Sequence, residues 1–141
     1  QQPLLALDPM QRSGDVVKEA LISSKHARYG KDAQEKALQL FDTVGLERTL
    51  WNRLPLHLSG GQAQRLVIAR ALATRPALIV SDESTSMLDP ATSRSVLELY
   101  DELVKTLGIS VLFISHDLDT VKEFCDEIYL LQDGAASKTK I

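Results

Sequence analysis

Residues 58–72 read LSGGQAQRLVIARAL, with two adjacent glycines directly ahead of a run that is apolar at helical spacing. Glycine in a helix interior costs about 1 kcal/mol relative to alanine, so Gly60 and Gly61 mark a helix start rather than its middle. A helix start carries unpaired N–H groups and roughly half a positive charge. With no Cβ in the way, an anion can come close to those groups. Ser59 adds a hydroxyl and Gln62 an amide. Two readings stay open on this stretch alone. One is a phosphate-binding helix start; the other is a serine-capped helix with a tight glycine turn.

The residues before this stretch read as helical. Positions 1–12 are loop-like, because Pro3 and Pro9 disfavour helix. "GDVVKEALIS" predicts a short amphipathic helix from about Gly14 to Ser23. "KDAQEKALQLFDTVG" predicts another, with Asp32 as N-cap, Gly45 as stop, and Ala33, Ala37, Phe41 and Val44 on one face. "LERTLWNRLPLH" is an irregular connection interrupted by Pro55, and the glycine-fronted helix then runs from about Gly60 to Thr74.

The pattern changes at Pro76. "ALIVSD" and "ISVLFIS" are short apolar runs, as expected of strands buried on both faces. Between them, Asp89-Pro90 opens a helix that Gly108 stops, with Val96, Leu97, Tyr100, Leu103, Val104 and Leu107 at helical spacing. "HDLDTVKEFC" predicts a short helix and "EIYLLQDG" a third strand ending in a turn. Strands alternating with helices imply parallel pairing through right-handed crossovers. The chain thus divides into a helical part, residues 1–75, and an α/β part, residues 76–141.

Asp82 and Glu83 stand at the carboxyl end of the first strand, the edge where open α/β sheets bind ligands. Paired carboxylates there suit a magnesium ion and a base that activates water, or they serve as plain helix-start charges. His116 follows the next strand, placed to hydrogen-bond a phosphate or to play a structural part. Hydrophobic residues form 44% of the chain and charged residues 25%, a globular balance. The net charge of -3 offers no general affinity for nucleic acid or anionic lipid. Cys125 is the single cysteine, which excludes an intrachain disulfide and reads as a buried structural thiol in a reducing compartment. No apolar run approaches the roughly 18 residues a membrane span needs, and no signal peptide is evident, so any membrane role is expected to come through a partner.

"LSGGQAQR", "LIVSDE", "SMLD" and "ISHD" resemble, in order and spacing, the motifs of the ATP-binding cassette (ABC) transporter ATPases. The resemblance implies a partial P-loop NTPase (RecA-like) core with parallel strands, joined to an α-helical signature subdomain. It implies an ATPase motor subunit using ATP and Mg2+, peripheral on the cytoplasmic face of the membrane. Ser59, Gly60, Gly61 and Gln62 resemble the signature motif, which contacts a nucleotide held mainly by a second subunit in a head-to-tail dimer. Asp82 resembles the Walker B aspartate on magnesium, Glu83 the catalytic base and His116 the switch histidine. Ser86 to Asp89 resemble the D-loop that links the two sites of the dimer. Gln1 aligns with the glutamine that senses magnesium and the lytic water, and the residues after it with the groove for transmembrane permease subunits. A substrate-binding protein is implied indirectly, and no nucleic acid.

The opening "QQPLLALDPM" is most similar to the dipeptide, oligopeptide and nickel importer branch. There are departures. Ser84 stands where proline is usual, implying a looser turn after Glu83. Met87 replaces a small residue, and Gln2 replaces an acid. A soluble cassette ATPase of translation or DNA repair, or a non-catalytic interaction fragment, is the alternative. The span from Gln1 to Leu58 is short for the long coiled coil of the DNA-repair type.

The phosphate-cradling loop GxxxxGK[ST] does not occur: at Gly30-Lys31, Lys25 stands in the first glycine's place and Asp32 in that of the serine or threonine. The chain therefore reads as the C-terminal part of a nucleotide-binding domain. Among the family's strands, the one carrying the missing loop lies beside the Walker B strand, so an apolar sheet edge is expected to be exposed. The 141-residue chain by itself is expected to show no measurable ATP hydrolysis and no tight ATP binding. Specific turnover by the purified chain, lost on Glu83→Gln, would refute this.

Overall fold

The computed structural model describes residues 2–139, so Gln1 lies outside the described residues. In the helical half, α1 spans Ser13–Ser23, α2 Lys31–Thr43 and α3 Gly60–Leu72. The α/β half follows as β1 Leu78–Asp82, α4 Pro90–Leu107, β2 Ser110–Ile114, α5 Leu118–Phe124, β3 Ile128–Gln132 and β4 Ala135–Thr139.

Pro3 does not prevent a helical turn. It starts a 3-10 turn, Pro3–Ala6, where its missing N–H costs nothing. Helix α1 begins one residue before the predicted glycine, because both the N–H and the hydroxyl of Ser13 donate to the Arg53 carbonyl. Asp32 is not the cap of α2. Gly30 holds that position at φ 88°, and Asp32 sits in the first turn, accepting from the Arg28 N–H at 2.7 Å. The expected face of α2 is realised, with Ala33, Ala37, Phe41 and Val44 all buried. Phe41 packs against Trp51 with ring centroids 5.5 Å apart. Trp51 in turn lies over Gly14, where a Cβ would come within 2.3 Å of the indole.

Helix α3 is the central member. Leu66, Ile68, Ala69 and Leu72 join Val17, Phe41, Val96 and Leu103 in one core, and α1, α2 and α4 all pack against it. Asp89 caps α4 by accepting from the Thr92 N–H, and Gly108 ends it in the left-handed region at φ 65°. Leu99 is buried on α4, whereas Leu107 is exposed beyond the core.

Two sequence expectations about the strands are corrected. β1 and β2 pair in parallel, with Leu78 opposite Ser110 and Asp82 opposite Ile114, but they are not covered on both faces. Ile79, Ser81 and Val111 face the helices, while Leu78, Val80, Leu112 and Ile114 are 44–57% exposed. The apolar runs are those of a two-sided core, and the helices here cover one side. β3 does not join the parallel sheet. It pairs antiparallel with β4 across an Asp133-Gly134 turn whose residues both have positive φ, as a tight hairpin requires. Cys125 is half-buried rather than fully buried; that burial, with nearby Asp126, raises its thiol pKa above the ordinary value.

Exposed apolar sheet surface is prone to pair with another chain. The chain is expected to self-associate at high concentration, and Val80→Lys to increase its monomer fraction in sedimentation without lowering its thermal midpoint. A clean monomer of the unaltered chain at high concentration would contradict this.

Candidate functional site

Parallel strands end on the same side, so β1 and β2 deliver their following residues to one rim. The ladder extends one step past β1, where the Glu83 N–H donates to the Ile114 carbonyl at 2.9 Å. Asp82 is exposed at the last paired position, opposite Ile114. Two residues beyond Ile114, the His116 imidazole meets the Glu83 carboxylate, with Nδ1 3.0 Å from Oε1. A carboxylate only accepts, so Nδ1 is the donor in this contact. The imidazole side chain is 76% exposed and that of Glu83 28%, so the pair opens to solvent. Asp82, Glu83 and His116 therefore share one edge.

Glu83 is held firmly. Its φ of 44° lies in the left-handed region, and its carbonyl accepts from both the N–H and the hydroxyl of Ser86. The looser turn expected from Ser84 is not found: the Ser84 hydroxyl is buried and bonded to that of Ser81 at 2.5 Å. The stretch from Ser86 leads through Leu88 into Asp89, whose carboxyl is held below the usual carboxylate range by the Thr92 side chain and N–H. Met87 is exposed.

At the glycine-fronted helix, part of the sequence question resolves within the chain. Ser59 and Gln62 form a reciprocal capping box: the Gln62 N–H donates to the Ser59 hydroxyl at 3.2 Å, and the Ser59 N–H to the Gln62 side chain at 3.0 Å. Gly61 is buried, and a Cβ there would come within 2.5 Å of the Thr92 methyl. A Cβ on Gly60 would meet Leu88 at 2.9 Å, although Gly60 itself is exposed. The glycines thus let the start of α3 pack closely on the start of α4. An open depression of about 350 Å3 lies beside this junction, lined by Ser59, Gly61, Gln62, Arg65 and Thr92 among others. Arg65 braces it, donating to the Val44 carbonyl and to the Ser95 carbonyl and hydroxyl. Arg65, Thr92 and Ser81 were not singled out from the sequence; Ser84 was, as a departure from proline, but its bond to Ser81 was not foreseen.

The sequence profile of the family described as ABC transporter matches residues 5–86. The methionine import ATP-binding protein of Streptomyces coelicolor is 50% identical over 105 residues, covering 74% of this chain and 30% of that protein. A solved ATP-binding cassette described as a dimer in a post-hydrolysis state, bound to ADP and Pi, aligns over 98% of this chain and 60% of its own, with TM-score 0.81 and 33% identity. The CbiO1 structure from Clostridium perfringens, described as part of the transporter complex CbiONQ, aligns over 96% and 53%, with TM-score 0.81 and 26% identity. The fold is that of the ABC cassettes, a P-loop NTPase fold. The chain belongs to the ABC transporter family. These relatives correct the branch: they are methionine import proteins, not the peptide, oligopeptide or nickel importers suggested by the opening residues. The chain spans about 30% of their length.

Adding a methyl at Gly61 forces it against Thr92, so Gly61→Ala is expected to destabilise the fold by about 1–3 kcal/mol. Thr92→Ser removes the opposing methyl but keeps the hydroxyl. The double variant is expected to recover much of the loss in urea melts; additive losses would show that the contact does not dictate the glycine.

Proposed function

We propose that this chain is part of the ATP-hydrolysing motor of an importer, and that its cargo is methionine or a closely similar amino acid. The observation that carries the reading is the Glu83–His116 contact beside Asp82 at the carboxyl rim of the parallel pair. The kinship with methionine import proteins supports the cargo.

In this reading Glu83 is the base. Its carboxylate takes a proton from the attacking water, and the His116 imidazole holds that carboxylate in place through Nδ1. Among the described residues, no cluster of three metal-ligating side chains exists. One exposed carboxylate, Asp82, fits magnesium, which keeps several waters and shares its shell with substrate phosphates. Asp82 would hold the ion, directly or through water, and the ion supplies charge neutralisation on the phosphates. Gln1 would join that shell. Ser59, Gly60, Gly61 and Gln62 present the positive end of α3 to a nucleotide on a second cassette in a head-to-tail dimer. Ser86 and Asp89 bound the loop that carries contact between the two sites.

Among the described residues, no helix is long and apolar enough to cross a membrane. Attachment to the cytoplasmic face would then run through permease subunits docked near the exposed Leu5 and Met10, with a substrate-binding protein beyond them.

In the gene product that carries this chain, Glu83→Gln is expected to lower ATP turnover about 10²–10⁴-fold while ATP binding persists. The same change is expected to abolish uptake of labelled methionine, and the protein is expected to be recovered from membranes with a permease. Unchanged turnover, or recovery with ribosomes or DNA instead, would overturn the reading. Lost dipeptide uptake with methionine uptake intact would overturn the cargo.

A further inference from the structure

Two buried hydroxyls lie directly behind the rim. Ser81 is on the helix-facing side of β1, opposite Phe113, and Ser84 is the first residue past Glu83; they are 3% and 9% exposed. A hydroxyl withdrawn from water without a partner is costly, and these two supply one another at 2.5 Å. Among the described residues, no buried side-chain polar atom lacks a partner. The bond joins positions three apart, so it closes a side-chain bridge across Asp82 and Glu83.

The residue inside that bridge needs restraint. A side chain with a Cβ disfavours the left-handed region that Glu83 occupies at φ 44°. Its N–H is committed to Ile114 and its carbonyl to Ser86, which fixes the peptide planes on both sides. The bridge anchors the same turn to the covered face of the sheet. Release of either hydroxyl frees the turn to relax toward extended backbone, which swings the carboxylate away from His116.

We propose that Ser81 and Ser84 are positioning residues: their buried hydroxyl pair locks the turn after β1 and so holds the Glu83 carboxylate on His116 Nδ1. Neither serine touches reacting atoms; both act through Glu83. The catalytic consequence rests on Glu83 being the base, as proposed above, but the geometry does not.

The test has two arms. In the 141-residue chain labelled with 15N-histidine, kept dilute enough to be monomeric, side-chain correlation spectra read the His116 tautomer at a pH where the imidazole is neutral. The unaltered chain is expected to show the Nδ1–H form at His116. Ser84→Ala, and Ser81→Ala/Ser84→Ala with no orphaned hydroxyl, are expected to lower its ratio to the Nε2–H form roughly two- to tenfold, the range one net hydrogen bond commands. His26 and His57 should not move. A folded double variant with the His116 tautomer unchanged overturns the proposal, because a merely structural pair would alter stability alone.

In the gene product, the same variants are expected to lower kcat about 10–100-fold with little change in KM. A shifted tautomer with unchanged kcat would support the positioning role and sink Glu83 as the base. A lowered kcat with an unshifted tautomer overturns the positioning role.

Discussion

The parallel ladder between β1 and β2 is the interaction on which the site depends. Parallel strands need a long crossover, and the 18-residue helix α4 supplies it. The register then decides the chemistry. With Asp82 opposite Ile114, the next residue of one strand and the second of the other fall within hydrogen-bond reach, and Glu83 meets His116. A slip by one residue would turn the apolar set away from the helices and separate the pair. Burial of Ile79 and Val111 against the helical core thus holds the register that assembles a polar site.

The second constraint is the close approach of two helix starts. α3 and α4 meet at Gly61 and Thr92, and each start is capped by its own side chain, Ser59 or Asp89. The caps satisfy specific donors, and α3 still presents its positive end beside the open depression. Structural and ligand-binding readings of the glycines are therefore not exclusive. Packing within the chain explains why Gly61 has no side chain; the dipole explains what the exposed end can attract. Arg65 ties this end to Val44, the residue just past α2, and to Ser95 of α4, so the helical half and the α/β half share one junction.

What was legible in the sequence follows from which signals are local. The α2 face, the Asp89 cap, the Gly108 stop and the rim of Asp82, Glu83 and His116 all rest on spacing or on chain order. The coverage of the strands was not local. "LIVSD" and "SVLFI" encode two apolar faces, but whether both are covered depends on neighbours far along the chain. β4 escaped notice because Ala135–Thr139 has little apolar or β-branched content, although Asp133-Gly134 is a strong hairpin turn. Asp32 was misplaced as a cap because a glycine two residues earlier does that work through its own φ. The branch of the family was misread from the opening ten residues, where Gln2 already departed from the pattern.

Among the described residues, four that are not glycine have positive φ: Lys25, Arg75, Glu83 and Asp133. Three have local explanations. Lys25 and Arg75 follow the ends of α1 and α3, and Asp133 is the first residue of a hairpin turn. Glu83 has no helix to end and no hairpin to close. It leaves a parallel strand, where extended backbone would continue without penalty, and instead adopts a conformation costing of order 1–3 kcal/mol. That cost is offset by the bond to Ile114, the double acceptance at its carbonyl, and the serine bridge around it. An acidic side chain on ordinary extended backbone would follow the alternation of the strand, away from the exposed side that Asp82 occupies. The left-handed kink breaks that alternation and lets consecutive acids, Asp82 and Glu83, face the same rim.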